Sequence, residues 1–242
     1  AFGFGKTFRA APDVYAQYNF ADSYLLYAQA KGGKLQNDFR RLETICPYGK
    51  LTGQTDATYE QLNAALGLKA SPVTGLWMNI YGGYQNLKND LVQGFDGQDL
   101  LLYGQNTSNF YFGAEVSYSY KDIFAIAASG TYRNWDTKKD EANPYADAAL
   151  RFKPALEADL HADIRPISPL LFKLGYQHIA RQKTEGTTVD AVSNLYARLE
   201  YKLFKGISIY ARANNLLNQK YQYYWGYPAE GINFAGGGSF CF

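Results

Sequence analysis

Residues 155 to 165 read ALEADLHADIR, and every second position is apolar: Leu156, Ala158, Leu160, Ala162 and Ile164. The positions between them, Glu157, Asp159, His161, Asp163 and Arg165, are all ionisable. A helix would scatter the two sets around its circumference, whereas a β-strand turns successive side chains to opposite faces, so only a period of two separates them cleanly. The same split recurs in NLYARLEYKL, where Leu195, Ala197, Leu199, Tyr201 and Leu203 alternate with Tyr196, Arg198, Glu200 and Lys202. In GISIYARAN, Ile207, Ile209, Ala211 and Ala213 alternate with Ser208, Tyr210, Arg212 and Asn214. LLFKLGYQH sets Phe172, Leu174 and Tyr176 against Lys173, Gly175 and Gln177, and FYFGAEVSYSY sets Phe110, Phe112, Ala114, Val116 and Tyr118 against Gly113, Glu115, Ser117 and Ser119.

Counting such segments predicts about ten strands, near residues 1–8, 60–70, 74–86, 109–120, 122–134, 155–165, 171–180, 194–204, 206–216 and 233–242. Helix is scarce, and the stretch from about residue 9 to about residue 58 is read as one long extracellular loop with short local structure. A soluble β-sandwich with one face in water also alternates. Three features favour an all-β fold of another kind, an antiparallel transmembrane β-barrel. The alternating segments run about 9 to 12 residues, enough to cross a bilayer core at a tilt, where sandwich strands more often run about five or six. Short connections (SPVTG, KD, PISP, FKG) alternate with longer ones at residues 87–108, 135–153 and 181–192. Tyrosine and phenylalanine crowd segment ends, as in YSYKD and YQYYWGY, where aromatic belts meet lipid headgroups.

Composition adds limits. No Pro-, Ser- or charge-rich linker divides the 242 residues, which predicts a single domain. The 24 basic and 22 acidic residues leave no concentrated basic face, so nucleic acid is not an expected partner. No run approaches the roughly 18 apolar residues of a spanning helix. A mean hydropathy of -0.35 ordinarily means a soluble protein, but the polar inner face of a barrel lowers that average. Cys46 and Cys241 lie far apart in the chain and make no disulfide framework. There is no signal-peptide pattern at the start, and Ala1 opens directly on the alternating run AFGFGKTF, as a cut within a strand would.

In a barrel, the closing run GINFAGGGSFCF turns Phe234, Gly236, Gly238, Phe240 and Phe242 to lipid and Ala235, Gly237, Ser239 and Cys241 inward. The lumen is then lined by Glu157, Asp159, His161, Asp163, Arg165, Lys173, Arg198, Glu200, Lys202 and Arg212. His161 among acids permits a metal site or proton relay, but such a site needs ligands converging from neighbouring strands, and an ordinary charged lining is the favoured reading. His178 belongs near the outer end of its strand as an interfacial residue. A serine nucleophile would need a positioned base, and no motif supplies one, so no enzyme is expected. The cluster YQYYWGY offers Tyr223, Tyr224 and Trp225 for stacking on a sugar or flat ligand, although it equally suits the base of a loop in the aromatic belt. No P-loop, CxxC or Rossmann pattern is present, and neither cofactor nor metal is expected.

The run ARANNLLNQKYQYYWGYPAEGINFAGGGSFCF, residues 211 to 242, resembles the C-terminus of TonB-dependent outer-membrane receptors. Asn215, Leu216, Leu217 and Asn218 match an Asn-Leu-Phe-Asn-like stretch, Tyr221 a tyrosine, Gly226, Tyr227 and Pro228 a turn, and Phe242 the terminal aromatic. FGFGKTFRAAPDVY resembles a mid-barrel strand of that family, and TYEQLNAALGLKA the strand after its long loop. Gly231-Ile232 departs from the usual Gly-Arg, and an additional Ala separates Arg9 from Pro12. The resemblance implies the C-terminal part of a barrel of about 22 strands, with no plug domain or TonB box in these residues. It further implies a Gram-negative outer-membrane location, contact with outer-membrane lipid, and a terminal Phe242 read by the barrel-assembly machinery. TonB would be reached only through the missing plug, and the cargo would be an unidentified small molecule of the siderophore, haem, cobalamin or glycan class. The alternative is a small self-contained barrel acting as a passive pore, closed by antiparallel pairing of the first and last of an even number of strands.

Overall fold

A computed structural model describes residues 2–3, 9–51, 56–96, 99–138, 146–184, 189–224 and 226–241. Its main sheet holds eleven strands in sequence order: β1 (Asp13–Phe20), β2 (Tyr24–Leu35), β3 (Thr58–Ala70), β4 (Leu76–Asp96), β5 (Asp99–Tyr120), β6 (Phe124–Thr137), β7 (Pro154–Ile167), β8 (Leu170–Arg181), β9 (Val192–Phe204), β10 (Ile207–Asn214) and β11 (Asn233–Phe240). Each pairs antiparallel with the next. Outside this meander, Lys50–Leu51 runs parallel beside β5, Phe2–Gly3 pairs with Arg9–Ala10, and Gln222–Tyr224 pairs with Tyr227–Pro228. This is the all-β, antiparallel barrel architecture that the alternation predicts.

The two faces sort as the period of two requires. Leu66, Ile80, Phe110, Phe112, Leu160, Leu174, Leu199 and Ile209 are exposed on one face, with Phe112 at 58% and Phe110 at 65%. A soluble sheet would bury that face; here its apolar side chains stay uncovered, which suits hydrocarbon as the solvent. The residues between them carry the polar groups. Between the two outermost strands, backbone N–H and C=O groups are satisfied strand to strand, the condition for crossing a medium without water.

All short turns fall at one end: 21–23, 71–75, 121–123, 168–169 and 205–206. Four need a left-handed residue, supplied by Ala21, Gly75, Lys121 and Gly206. Each turn also accepts a hydrogen bond from the next strand over: Ser71 N–H to Ser23 O, Ser119 to Gly75, Arg165 to Ile123, Lys202 to Pro169 and Cys241 to Gly206, at 2.7 to 2.9 Å. The rim at this end is therefore a continuous stitch of backbone bonds.

The opposite end departs from the sequence expectation in two places. Residues 13 to 35, read as part of a loop over about 9 to 58, form the β1–β2 hairpin. Residues 87 to 108, read as a polar connection, extend β4 and β5 into a hairpin beyond the other strands. That extension is held by packing: Leu91, Leu100 and Leu102 close a cluster with Leu42 and Cys46, contributed by helix α1 (Phe39–Ile45) and its C-cap. Asp38 caps α1 by accepting the Arg41 N–H at 2.9 Å. Near it, Lys153 reaches the almost buried Asp90 carboxylate at 2.5 Å while its ammonium lies 4.6 Å over the Trp135 ring.

Among the described residues the main sheet has eleven antiparallel strands, one more than the sequence count, and the outermost two, β1 and β11, run in the same direction. The expected strand at residues 1–8 falls largely outside the described residues, as does Phe242. Cys46 is buried and Cys241 exposed, and both are free thiols.

Candidate functional site: the charged face and its loop cap

Cross-strand register decides which charged side chains meet. Asp163, Lys173, Arg198 and Arg212 stand side by side on β7, β8, β9 and β10. Lys173 Nζ lies 2.7 Å from Asp163 Oδ2, Arg198 Nη2 2.9 Å from Glu200 Oε2, and the Arg198 guanidinium stacks 4.4 Å over Tyr210. Glu157 faces Arg133 at 4.0 Å. His161 Nδ1 is 2.9 Å from Asp159 Oδ1, but its flanking partners in register are Ala127 and Gly175, so no further ligand converges on it. Among the described residues no group of three or more His, Cys, Asp or Glu forms a metal cluster. Arg165 and Lys202 sit at the short-turn rim. The sequence-derived set thus becomes one mid-wall ladder plus two rim cations.

Glycine and tyrosine interlock on this face. Gly67, Gly113, Gly83, Gly175 and Gly237 lie directly opposite Tyr27, Tyr81, Tyr111, Tyr196 and Tyr210. At each, the facing ring occupies the place of a β-carbon, so even a methyl group has no room. The flat rings leave their hydroxyls for lateral bonds: Tyr27 to Asn79 at 3.2 Å, Tyr81 with Thr131 at 2.8 Å, and Tyr111 to Asn63 at 2.7 Å. The sequence holds the signal, Gly and Tyr at inward positions of adjacent strands, but it becomes visible only once register is known.

The last loop folds over the long-connection end of this face. Tyr223 Oη donates to Gln177 Oε1 at 3.1 Å and meets Tyr221 edge-on at 5.4 Å. Burial, then the adjacent Tyr221, pushes the Tyr223 hydroxyl up to about 12. Tyr224 packs against the α1 cluster, and burial raises its pKa too. Tyr48 stacks on Tyr227 at 3.8 Å and meets Tyr224 edge-on. Arg181 donates to Phe152 O at 2.9 Å and to Tyr223 O at 3.4 Å, tying two loops together. Of the three aromatics singled out for a ligand, Tyr223 and Tyr224 are half-buried in loop packing, and Trp225 lies outside the described residues. Tyr48 and Arg181 were not singled out by sequence.

Asn215 organises that loop. It is buried with φ at 50°, donates through Nδ2 to Gln219 O and Glu230 O at 2.9 and 2.8 Å, and accepts the Gln219 N–H at 3.0 Å. Its own N–H bonds Asn194 Oδ1. Asn218, also left-handed, accepts from Ile232 N–H at 3.4 Å. Asparagine tolerates that backbone region and offers both donor and acceptor, so the Asn-Leu-Leu-Asn stretch is a loop brace.

On the apolar face His178 Nδ1 is 2.9 Å from Ser193 Oγ, which also receives the Tyr176 hydroxyl at 3.3 Å. Ser193 is buried and lies on a regular strand whose N–H groups serve the sheet, so the pair lacks the free donors that would stabilise an oxyanion.

No family model and no curated protein matches the chain. Solved structures do. The copper transporter OprC superposes with a TM-score of 0.66 at 14% identity, over 94% of this chain and 39% of its own. The ferric-catecholate import receptor Fiu from E. coli K12 gives 0.65 at 14%, over 94% and 34%. The pyoverdine outer membrane receptor FpvA from Pseudomonas aeruginosa PAO1 gives 0.66 at 13%, over 96% and 36%. The chain therefore spans between about a third and two-fifths of the length of these receptors. These counterparts are TonB-dependent receptors, and the fold of the eleven-stranded sheet is that of a section of their barrel wall.

Proposed function

We propose that this chain is part of the barrel of an outer-membrane importer of the TonB-dependent class, whose cargo is a scarce, bulky nutrient of the metal-chelate type. The observation that carries the reading is the division of one sheet between an uncovered hydrocarbon-like face and a charged, tyrosine-lined face. That division occurs on a fold matched along nearly its whole length by receptors for ferric chelates and a transporter of copper. In this reading the ladder from Glu157 to Arg212 lines the lumen and the Tyr48–Tyr223–Tyr227 loops guard the extracellular mouth. Haem, cobalamin and glycan are the other cargo classes compatible with such a passage. Energy would come from TonB through a plug domain, and insertion would depend on the barrel-assembly machinery.

The test is uptake. Deleting the gene should abolish growth on one ferric or cupric chelate under metal limitation, and restoring the full reading frame should return it in a TonB-dependent manner. Uptake that persists in a strain without TonB would refute the coupled importer.

A further inference from the structure

Above an apolar depression on the hydrocarbon-facing side lies a polar pocket, and the two are joined at one residue. The depression, about 930 Å³, has a floor of small residues on β1 to β4, namely Ala16, Ala28, Ala30, Ala64 and Gly82, and a wall that includes Phe110 and Phe112 of β5. Gly82 is informative. A β-carbon there would meet only ordinary contacts, 3.5 Å to Tyr111 O and 3.6 Å to Phe112 Cδ2. Unlike the glycines under tyrosine rings, it is therefore not forced by crowding, and its effect is to keep the floor open.

The polar pocket, about 430 Å³, is contributed by the next residues of the same strands toward the long-connection end. Tyr84 lines both cavities, and its hydroxyl accepts from Asn86 Nδ2 at 3.4 Å. Lys88 and Lys138 line the upper pocket, each four residues beyond a residue of the lower one, Tyr84 and Asn134. Four strand residues span about 13 Å, which sets charge above apolar floor by about the depth of a headgroup region. Lys34 and Lys88 flank Tyr59 in register, extending the cationic row across β2, β3 and β4. Among the described residues, no ion pair engages Lys34, Lys88 or Lys138. Asp136, the one carboxylate in the pocket, accepts the Thr137 N–H at 2.9 Å.

We infer that this composite surface binds an outer-leaflet lipid carrying phosphate on its headgroup and several acyl chains, with the chains in the Ala-Gly depression and the phosphate at Lys88 and Lys138. Charge decides the headgroup: two lysines against one internally bonded carboxylate favour an anion, and a juxtamembrane lysine contributes attraction to anionic lipid. The inference rests on the outer-membrane reading above.

The probe is a bis-phosphorylated, acylated glucosamine disaccharide, added to the full-length detergent-solubilised protein and followed by native mass spectrometry. Comparators are the same lipid without phosphates, phosphatidylethanolamine and inorganic phosphate. The wild type should retain the phosphorylated glycolipid preferentially. Lys88→Gln with Lys138→Gln should weaken it about tenfold or more and erase the preference over the dephosphorylated form. Gly82→Leu should fill the floor and weaken both lipid forms while leaving the lysines in place. Equal retention of phosphorylated and dephosphorylated lipid by the wild type would overturn the inference, as would equally effective competition by inorganic phosphate. So would undiminished binding in Gly82→Leu, or pairing of two copies through this face in place of lipid. Membrane fractionation and chelate uptake separate the two claims. A wild type absent from the outer membrane sinks the importer, whereas one that inserts and imports but retains no lipid sinks this inference alone.

Discussion

Asn215 carries more of the last loop than its size suggests, because a left-handed backbone and three side-chain hydrogen bonds meet in one buried residue. Asn215→Ala keeps only the backbone bonds, its N–H to Asn194 and its carbonyl from Asn218 N–H, and should destabilise the 215–232 loop by about 3 kcal/mol. Asn215→Gly, which relieves the backbone but still loses the side-chain bonds, should cost less. Proteolytic cleavage rates of the loop in otherwise intact protein order the three forms. Tyr223 makes a second residue-level prediction with a definite sign. Its folded pKa of about 12 lies above the ordinary tyrosine value of 10.0, so its packing contributes fully below pH 10 and that contribution is lost as pH rises toward 12. Alkaline titration should show the loop detaching over that window, and Tyr223→Phe should remove this alkaline sensitivity. The resemblance pointed to Asn215 and Asn218 as residues, whereas the reason for them, a backbone turned to positive φ and bonded by its own side chains, needed coordinates. Tyr48 and Arg181 were illegible for a different reason. Their partners lie far off in sequence, and no local pattern marks a side chain that bridges loops.

At the scale of elements, the glycine–tyrosine pairs set the register of the wall. A strand slipped by two residues keeps its faces but brings tyrosine against side chains that have no space for it, so the pairs penalise the one slip that the period of two permits. Gly175→Ala would place a methyl group 2.1 Å from the Tyr196 ring, an overpacking expected to cost about 1 to 3 kcal/mol. Adding Tyr196→Ala should recover part of that loss, and a double-mutant cycle read by heat-induced unfolding in detergent measures the coupling. A cost for the pair equal to the sum of the singles would deny the interlock. The strand interiors from β7 to β10 were readable because polar or small residues alternate there with apolar ones. The β1–β2 hairpin was not, even though Val14, Ala16, Tyr18 and Phe20 alternate with Asp13, Tyr15, Gln17 and Asn19. Tyrosine stands on both faces there, and an amphipathic ring hides the contrast on which the pattern depends. The extension of β4 and β5 was hidden differently: beyond the membrane its apolar residues bury against α1 and the 3₁₀ turn at Ala146–Phe152 instead of alternating toward lipid.

For the molecule as a whole, the exposed apolar face and the direction of the outermost strands govern behaviour. The purified polypeptide should require detergent, and a monodisperse preparation in plain buffer would contradict the membrane assignment. In planar bilayers a steady, well-defined conductance from this stretch alone would favour the passive-pore alternative over the importer reading. All eight residues of β1 are exposed, and among the described residues no strand pairs with its outer row of N–H and C=O groups, which faces a medium with no competing donors. Since β1 and β11 run in the same direction, arithmetic constrains any all-antiparallel ring built on the eleven described strands: it holds an even number of staves, so an odd number must join them. Any set of strands proposed to complete the wall can be screened by that parity before a single contact is considered.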